Sequence, residues 1–379
     1  MQERLVARRM RIAHSVPKHR EYMRSSYPSE PILAEAAASI WAERQKSGKA
    51  IPKTLNKLIN TTNIIGKGER GELVARLILT LAYDAAVKQC EGGEAQHTLA
   101  VPLETFLQEL FGETNYALIA NSKPHIGGLT FREAFKDAQV RFTHFVRAED
   151  GSAVTTEAAY AAILRSMAFQ CSHDQEDIDI LVPLALKNVA LREDVMSGML
   201  IQIKNRVKSG TKASVYIDAS KLSFFPESQK LFDDTNLRPY ITLVMELGVS
   251  PMPKTLEAEG LVQVAEPNCA RSLRKPQEPV NPRYSIFAYG CSPSLYKVVT
   301  SEGLFASLLV SRTLLAEHPR QTESCLEAVK EQKPFWSHGA ESYGWLKDVG
   351  ALHNMVFPEE AEMGMDGMDI DSESDSAVL

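Results

Sequence analysis

Asp179, Gln202 and Lys204 are polar residues inside two runs that are otherwise built to be buried. The first run, Ile178-Asp179-Ile180-Leu181-Val182-Pro183-Leu184, and the second, Met199-Leu200-Ile201-Gln202-Ile203-Lys204-Asn205-Arg206, have the length and the Ile/Leu/Val content of core strands. Burying a lone carboxylate is costly unless it is protonated, paired or bound to a cation. Gln202 and Lys204 are two positions apart, so on a strand both side chains leave the same face. An acid on one strand beside an amide and an amine on the next can hold a divalent cation and a water. Asp179 is then the main metal ligand, the Gln202 amide oxygen and the Ile203 carbonyl are lesser ones, and Lys204 stands at the water. Magnesium suits such a set, because it takes oxygen ligands and keeps several of its own waters.

Positioning these groups needs a hairpin at the middle of the chain, its two runs joined by a polar turn. Gly66 to Gln89 carries the strongest helix signal, with Leu73, Val74, Leu77, Ile78, Leu79 and Leu81 on one wide apolar arc. Glu69, Glu72, Arg76 and Thr80 form the remaining polar seam. One reading makes that seam a solvated face with a Glu72/Arg76 pair, and a second turns Glu72 into a cleft as a further acid. Gly66-Lys67-Gly68-Glu69-Arg70-Gly71 also fits G-x-G-x-x-G, but Lys, Asn and Thr precede it and no strand ending in an acid follows. The glycines read more simply as a flexible lead into the helix.

Around this core the sequence predicts helices over Pro31 to Gln45, a short one at Leu55 to Ile59, and others near Pro102 to Phe111 and Thr156 to Met167. Further helices are expected at about 302–317, 323–330 and 340–349. Strands are expected at Val140 to Val146, Ser214 to Ile217 and Tyr240 to Leu247, with a pair formed by Tyr284 to Tyr289 and Leu295 to Val299. The organisation that follows is a basic, helical extension over 1–63, an α/β core over 64–300 with an insertion at about 90–165, a helical segment over 301–357 and a disordered tail over 358–379.

The formal charge of −6 is uneven. The tail holds eight acids and no Lys or Arg, and without it the body stands at +2, while Arg4, Arg8, Arg9, Arg11, Lys18 and Arg20 face only Glu3 in the first twenty residues. Five scattered cysteines, none in a C-x-x-C pair, exclude a disulfide framework or a zinc knuckle and suit a reducing compartment. No apolar run reaches membrane-spanning length, and the N-terminal charges do not suit a signal peptide, so the nucleus or cytoplasm is expected.

Glu72 on a helix, Ile-Asp179-Ile-Leu-Val on one strand and Ile-Gln202-Ile-Lys204 on the next resemble the PD-(D/E)XK nuclease superfamily, and the Gln variant is similar to its Mrr-like branch. The resemblance spans roughly residues 66–250. It implies a restriction-endonuclease-like core, a mixed sheet flanked by helices in alpha-beta-beta-beta-alpha-beta order. It further implies magnesium held at Asp179 and Gln202, water activated by Lys204, support from Glu72, and hydrolysis of phosphodiester bonds in DNA. Asp179 and Gln202 are 23 residues apart and Glu72 precedes Asp179 by 107, so the insertion is required; Asp177 competes with Asp179 for the acid's place. Arg206, Lys208 and Lys212 are the expected phosphate contacts, with Arg271, Arg274 and Lys275 in a second basic stretch. The alternative is a catalytically inactive scaffold of the same kind that binds nucleic acid or protein, with Lys204 paired to Asp179 and no metal. The stretches GERGELVARL and LIQIKNR also look like those of uncharacterised fungal proteins.

Overall fold

The structure, a computed structural model, describes residues 12–15, 24–26, 30–46, 53, 55–56, 66–91, 97–151, 154–172, 175, 177–187, 189–206, 217–225, 237–249, 260–265, 280–300 and 302–309. The chain divides into two compact units, Met1–Asn56 with Ile65–Ser311 and Lys57–Ile64 with Arg312–Leu379. Every described residue belongs to the first. Lys208, Lys212, Arg271, Arg274, Lys275, the helices expected at 323–330 and 340–349 and the acidic tail lie outside the described residues.

The order of elements is β1 (Ile12–Ser15), β2 (Arg24–Ser26), α1 (Glu30–Lys46), α2 (Lys67–Glu91), β3 (Val101–Pro102), α3 (Leu103–Ala120), α4 (Phe131–Ala134), β4 (Gln139–Val140), β5 (His144–Arg147), α5 (Thr156–Leu164), β6 (Met167–Gln170), β7 (Ile180–Ala185), β8 (Met196–Lys204), β9 (Tyr240–Glu246), β10 (Val262–Val264), β11 (Arg283–Tyr289) and α6 (Glu302–Leu309). β1 and β2 form a small antiparallel pair, and the other nine strands make one mixed sheet.

The expected hairpin is its centre: β7 and β8 pair antiparallel from Ile180↔Ile201 to Ala185↔Met196. β8 then runs parallel to β9, and β9 parallel to β11, with β10 antiparallel at the far edge. Parallel strands covered on both faces are mostly apolar, and all nine residues of β8 except Lys204 and all seven of β9 are buried. The second edge of β7 is shared, with β6 on Ile180 and Leu181 and β4 on Leu184 and Ala185. Leu186 N–H reaches Val195 C=O across the β8 side, so alternation turns the nitrogen of Pro183 to the other side, between the two part-strands. That is where a residue without an N–H removes no ladder bond.

One face of the sheet packs Leu181, Leu200, Val244 and Phe287 against Ala159, Ala162 and Ile163 of α5. On the other, α2 crosses β8 at Gly71, whose added Cβ would stand 2.9 Å from Asn205 Cβ and 3.4 Å from Ile203 Cγ2. Gly71 is therefore no flexible lead into the helix; it lies inside α2 and sets how closely helix and strand approach. The Asn205 amide donates to the carbonyls of Lys67 (2.8 Å) and Leu309 (2.9 Å), joining the start of α2 and the end of α6 to the end of β8.

Several boundaries differ from expectation. The strand expected over Val140 to Val146 splits into β4 and β5, because Phe142 turns into a buried aromatic group with Tyr83 and Phe106 instead of alternating along a ladder. Leu295 to Val299 forms turns and not a strand partner for β11, whose two edges are taken by β9 and β10. Ile217 lies in a loop. Leu73 and Leu81 are only half-buried, while Arg70 and Tyr83 on the same helix are fully enclosed. The segment expected as an insertion is built into the core: it supplies β3, β4 and β5 to the sheet and α5 to one face.

Substituting Gly71→Ala should destabilise the protein. Alanine gains about 1 kcal/mol of helix propensity over glycine, but overpacking against the Asn205 Cβ, which its own backbone holds in place, costs about 1–3 kcal/mol. Urea unfolding should show a lower midpoint with the slope unchanged; a higher midpoint would mean that α2 can lift from β8 freely.

Candidate active site

Because β6 and β8 are both antiparallel to β7, and β5, β9 and β11 are parallel to their neighbours, the carboxyl ends of β5, β6, β8, β9 and β11 all lie along one edge of the sheet, together with the start of β7. In open α/β sheets this is the edge at which strands release side chains and backbone to a ligand. Across it run, in sheet order, Arg147, Gln170, Asp179, Lys204 and Glu246, each at or beside the end of its strand.

Asp179 precedes β7 at the point where the regular ladder stops. Its N–H donates to Ile201 C=O at 2.8 Å, its own C=O accepts from Cys171 N–H at 2.8 Å, and its Oδ2 accepts from Ile203 N–H at 2.5 Å. The carboxylate thus stands in for the next acceptor of the strand. On β8 the N–H and C=O of one residue face the same neighbour, so the Ile203 carbonyl also faces the β7 side. Burial is the largest influence on Asp179 and raises its pKa; the Ile203 N–H opposes this, Glu72 adds to it, and Lys204 opposes it. The same surroundings push the Cys171 thiol up to about 12, chiefly through burial and then through Asp179 and Glu72, which rules it out as a nucleophile at neutral pH.

Leu200 belongs to the face covered by α5, so Gln202 and Lys204, two and four residues on, leave that same face. Gln202 is 8% exposed, and its Oε1 is buried without a hydrogen-bond partner among the described residues. An orphaned buried acceptor costs about 1–3 kcal/mol, which a donor or a cation at that point would recover. Lys204 is half-buried; no ion pair joins it to Asp179, so the paired arrangement of the non-enzymatic alternative is not formed. Its register partner on β9 is Glu246, 2% exposed and ion-paired with Arg206.

Glu72 reaches this edge from the opposite face. It is half-buried, and its Oε2 accepts from Gln170 Nε2 at 2.9 Å, while Gln170 Oε1 accepts from Arg76 Nη1 at 2.9 Å. The expected direct Glu72/Arg76 pair is therefore replaced by a strand amide that stands between them. Glu72 and Arg76 of the polar seam are turned to the sheet edge, while Glu69 is exposed, so the reading of the seam as a solvated face holds only at Glu69. Asp177 takes a left-handed φ of 69° outside the strand, which removes it as a competitor for the place of Asp179.

Gln170 and Glu246 escaped the sequence reading for different reasons. Glu246 stands inside the apolar run Tyr240 to Leu247 as Lys204 stands in its own, so the same signal could have found it. Gln170 ends a strand of four residues that is too short to stand out. Among the described residues no cluster of three or more His, Cys, Asp or Glu side chains is close enough to hold a metal, and no helix is long and apolar enough to cross a membrane.

Residues 1–250 match the model of a family described as Domain of unknown function (DUF8736), about two thirds of the chain. No curated protein and no solved structure matches.

With its folded pKa raised, Asp179 contributes stability that is fully present below the ordinary carboxylate value and is lost as pH rises through the folded pKa. Asp179→Asn keeps an acceptor for Ile203 N–H and carries no charge at any pH. Thermal unfolding in EDTA should therefore show the variant gaining on the parent protein as pH goes from about 4 to 8. An unchanged or falling difference over that range would mean that the carboxylate is not held at a desolvation cost.

Proposed function

The chain belongs to the DUF8736 family, and we propose that it is a metal-dependent nuclease-like protein that hydrolyses phosphodiester bonds in DNA. The observation that carries this reading is the meeting, at one sheet edge, of the desolvated Asp179 carboxylate, the orphaned Gln202 Oε1 and an amine, Lys204, without an ion-pair partner among the described residues. Support also comes from connectivity: a helix, α2, precedes three antiparallel neighbours β6, β7 and β8, and β9 lies parallel to β8. A restriction-endonuclease-like core has that arrangement. It departs in that β3, β4, β5 and α5 come between α2 and β6, with α5 covering the face opposite α2, and in that no helix lies between β8 and β9 among the described residues.

The donor set suits magnesium. Asp179 Oδ1, Gln202 Oε1 and the Ile203 carbonyl would hold it, one charged and two neutral oxygens, which is enough for an ion that retains most of its waters. Bound there, magnesium supplies positive charge for the phosphoryl oxygens and lowers the pKa of a water. Each residue has its own part. The Ile203 N–H fixes the rotamer of Asp179, so only one carboxylate oxygen remains free. Lys204, on the same face as Gln202 and beside the open edge, holds the attacking water and can exchange a proton with it. Glu72, oriented by Gln170, adds negative charge that raises the pKa of Asp179. Arg206 is engaged by Glu246, so its charge serves the sheet first and a phosphate second.

The catalytically inactive scaffold remains the second reading. It is favoured by the small number of acids: Glu72 is already satisfied by Gln170, leaving Asp179 alone to carry charge for a cation.

Plasmid and linear DNA incubated with the protein and magnesium should be cut, and Asp179→Ala with Lys204→Ala should lose about 100-fold or more in rate. Magnesium or manganese titrated into the protein in a calorimeter should give heat that Asp179→Asn abolishes. Cleavage that survives the double substitution removes the assigned site, and absence of both cleavage and heat favours the inactive scaffold.

A further inference from the structure

The flank of the carboxyl edge formed by β5 and β6 brings two guanidiniums to one amide. Arg147 at the end of β5 is the register partner of Gln170 at the end of β6, so their side chains share a face. Arg76 reaches the same Gln170 from α2, donating to its Oε1 at 2.9 Å, and donates through Nε to the Glu72 carbonyl at 3.4 Å. Among the described residues neither guanidinium is ion-paired with a carboxylate, although the Glu72 charge acts on Arg76. The Glu72 carboxylate is turned to the Gln170 amide instead of to Arg76, and Arg147 is exposed with no ion pair or hydrogen bond among the described residues. Arg76 is half-buried: burial lowers its pKa most, the nearby Glu72 charge raises it, and Arg147 lowers it, so holding Arg147 within its field costs free energy. A like-charged pair kept together beside the carboxyl ends of strands is what an anion would relieve, and guanidiniums are suited to two-point contact with phosphate oxygens.

We propose that Arg76 and Arg147, spaced by Gln170, form a phosphate-binding subsite for the backbone of a nucleic-acid strand, on the α2 side of the sheet edge. This rests on the proposed action on DNA and names its binding register: a phosphate next to the reacting one contacts the two guanidiniums, while Asp179, Gln202 and Lys204 face the reacting phosphate from the β8 side. Gln170 serves both parts, holding Glu72 with its amide N–H and Arg76 with its oxygen.

The test is fluorescence anisotropy of a labelled 20-base-pair duplex and of its single strand, in EDTA so that no cleavage occurs. The parent protein, Arg147→Gln, Arg76→Gln with Arg147→Gln, and Arg192→Gln are compared; Arg192 precedes β8 at the opposite sheet edge. Arg147 is exposed and repels Arg76, so its substitution should not lower the unfolding temperature. The double variant should bind about tenfold more weakly, and its log K against log salt slope should fall by about 0.7–0.9 for each phosphate that is no longer neutralised, with Arg192→Gln like the parent. Equal binding and slope in parent and double variant, or no binding by the parent, overturns the subsite. Calorimetric binding of inorganic phosphate that the double variant loses, without any DNA binding, assigns the pair to free phosphate and overturns the nucleic-acid assignment. Arg-dependent binding by a protein that never cuts DNA leaves this subsite standing while hydrolysis fails, and cutting that ignores both arginines does the reverse.

Discussion

Strand β8 is bonded to a neighbour on each side and covered on each face, and this confinement governs what the rest of the molecule can do. Water is excluded along its length, so the buried Ser197 hydroxyl donates to Pro239 C=O, and Gln202 and Lys204 come where the strand leaves the core. The same confinement draws α2 close at Gly71 and requires an apolar β9 alongside. Chemistry is thereby forced to one edge, where Asp179 meets the end of β8 as β7 begins.

At that edge, charge is distributed by amides as much as by ion pairs. Ile203 N–H occupies one oxygen of Asp179, and Gln170 divides Glu72 from Arg76. A neutral amide between an acid and a base keeps both charges available, where a direct salt bridge would cancel them. One strand further on, Glu246 and Arg206 show the opposite solution, a buried acid matched to its own cation. The edge therefore contains one neutralised pair and, toward β5 and β6, charges that are oriented without being cancelled.

The segment between α2 and β6 serves this arrangement directly. β4 takes over the edge of β7 where β6 ends, which leaves Pro183 opposite the gap, and β5 brings Arg147 to the carboxyl edge. α5 closes the face that Gln202 and Lys204 share, burying Leu200 and Val244 beneath it. A stretch that reads in the sequence as an interruption thus closes the sheet and completes its working edge.

Hydrophobic run length determined the hairpin, the long helix, β9 and β11, since burying an uninterrupted apolar run dominates every local alternative. The period of two along β8 likewise placed Gln202 and Lys204 on one face from spacing alone. Short strands such as β4 and β6 carried too few residues to declare themselves, and they became strands because partners were waiting for their backbone groups. Composition read the seam of α2 as open to two fates; only the arrival of Gln170 at the end of β6 decided that Glu72 and Arg76 turn inward and do not meet. Which residues are buried follows from the one-dimensional pattern of apolar side chains, whereas which polar groups face one another depends on strand direction and register, and those are set by contacts between residues far apart in the chain.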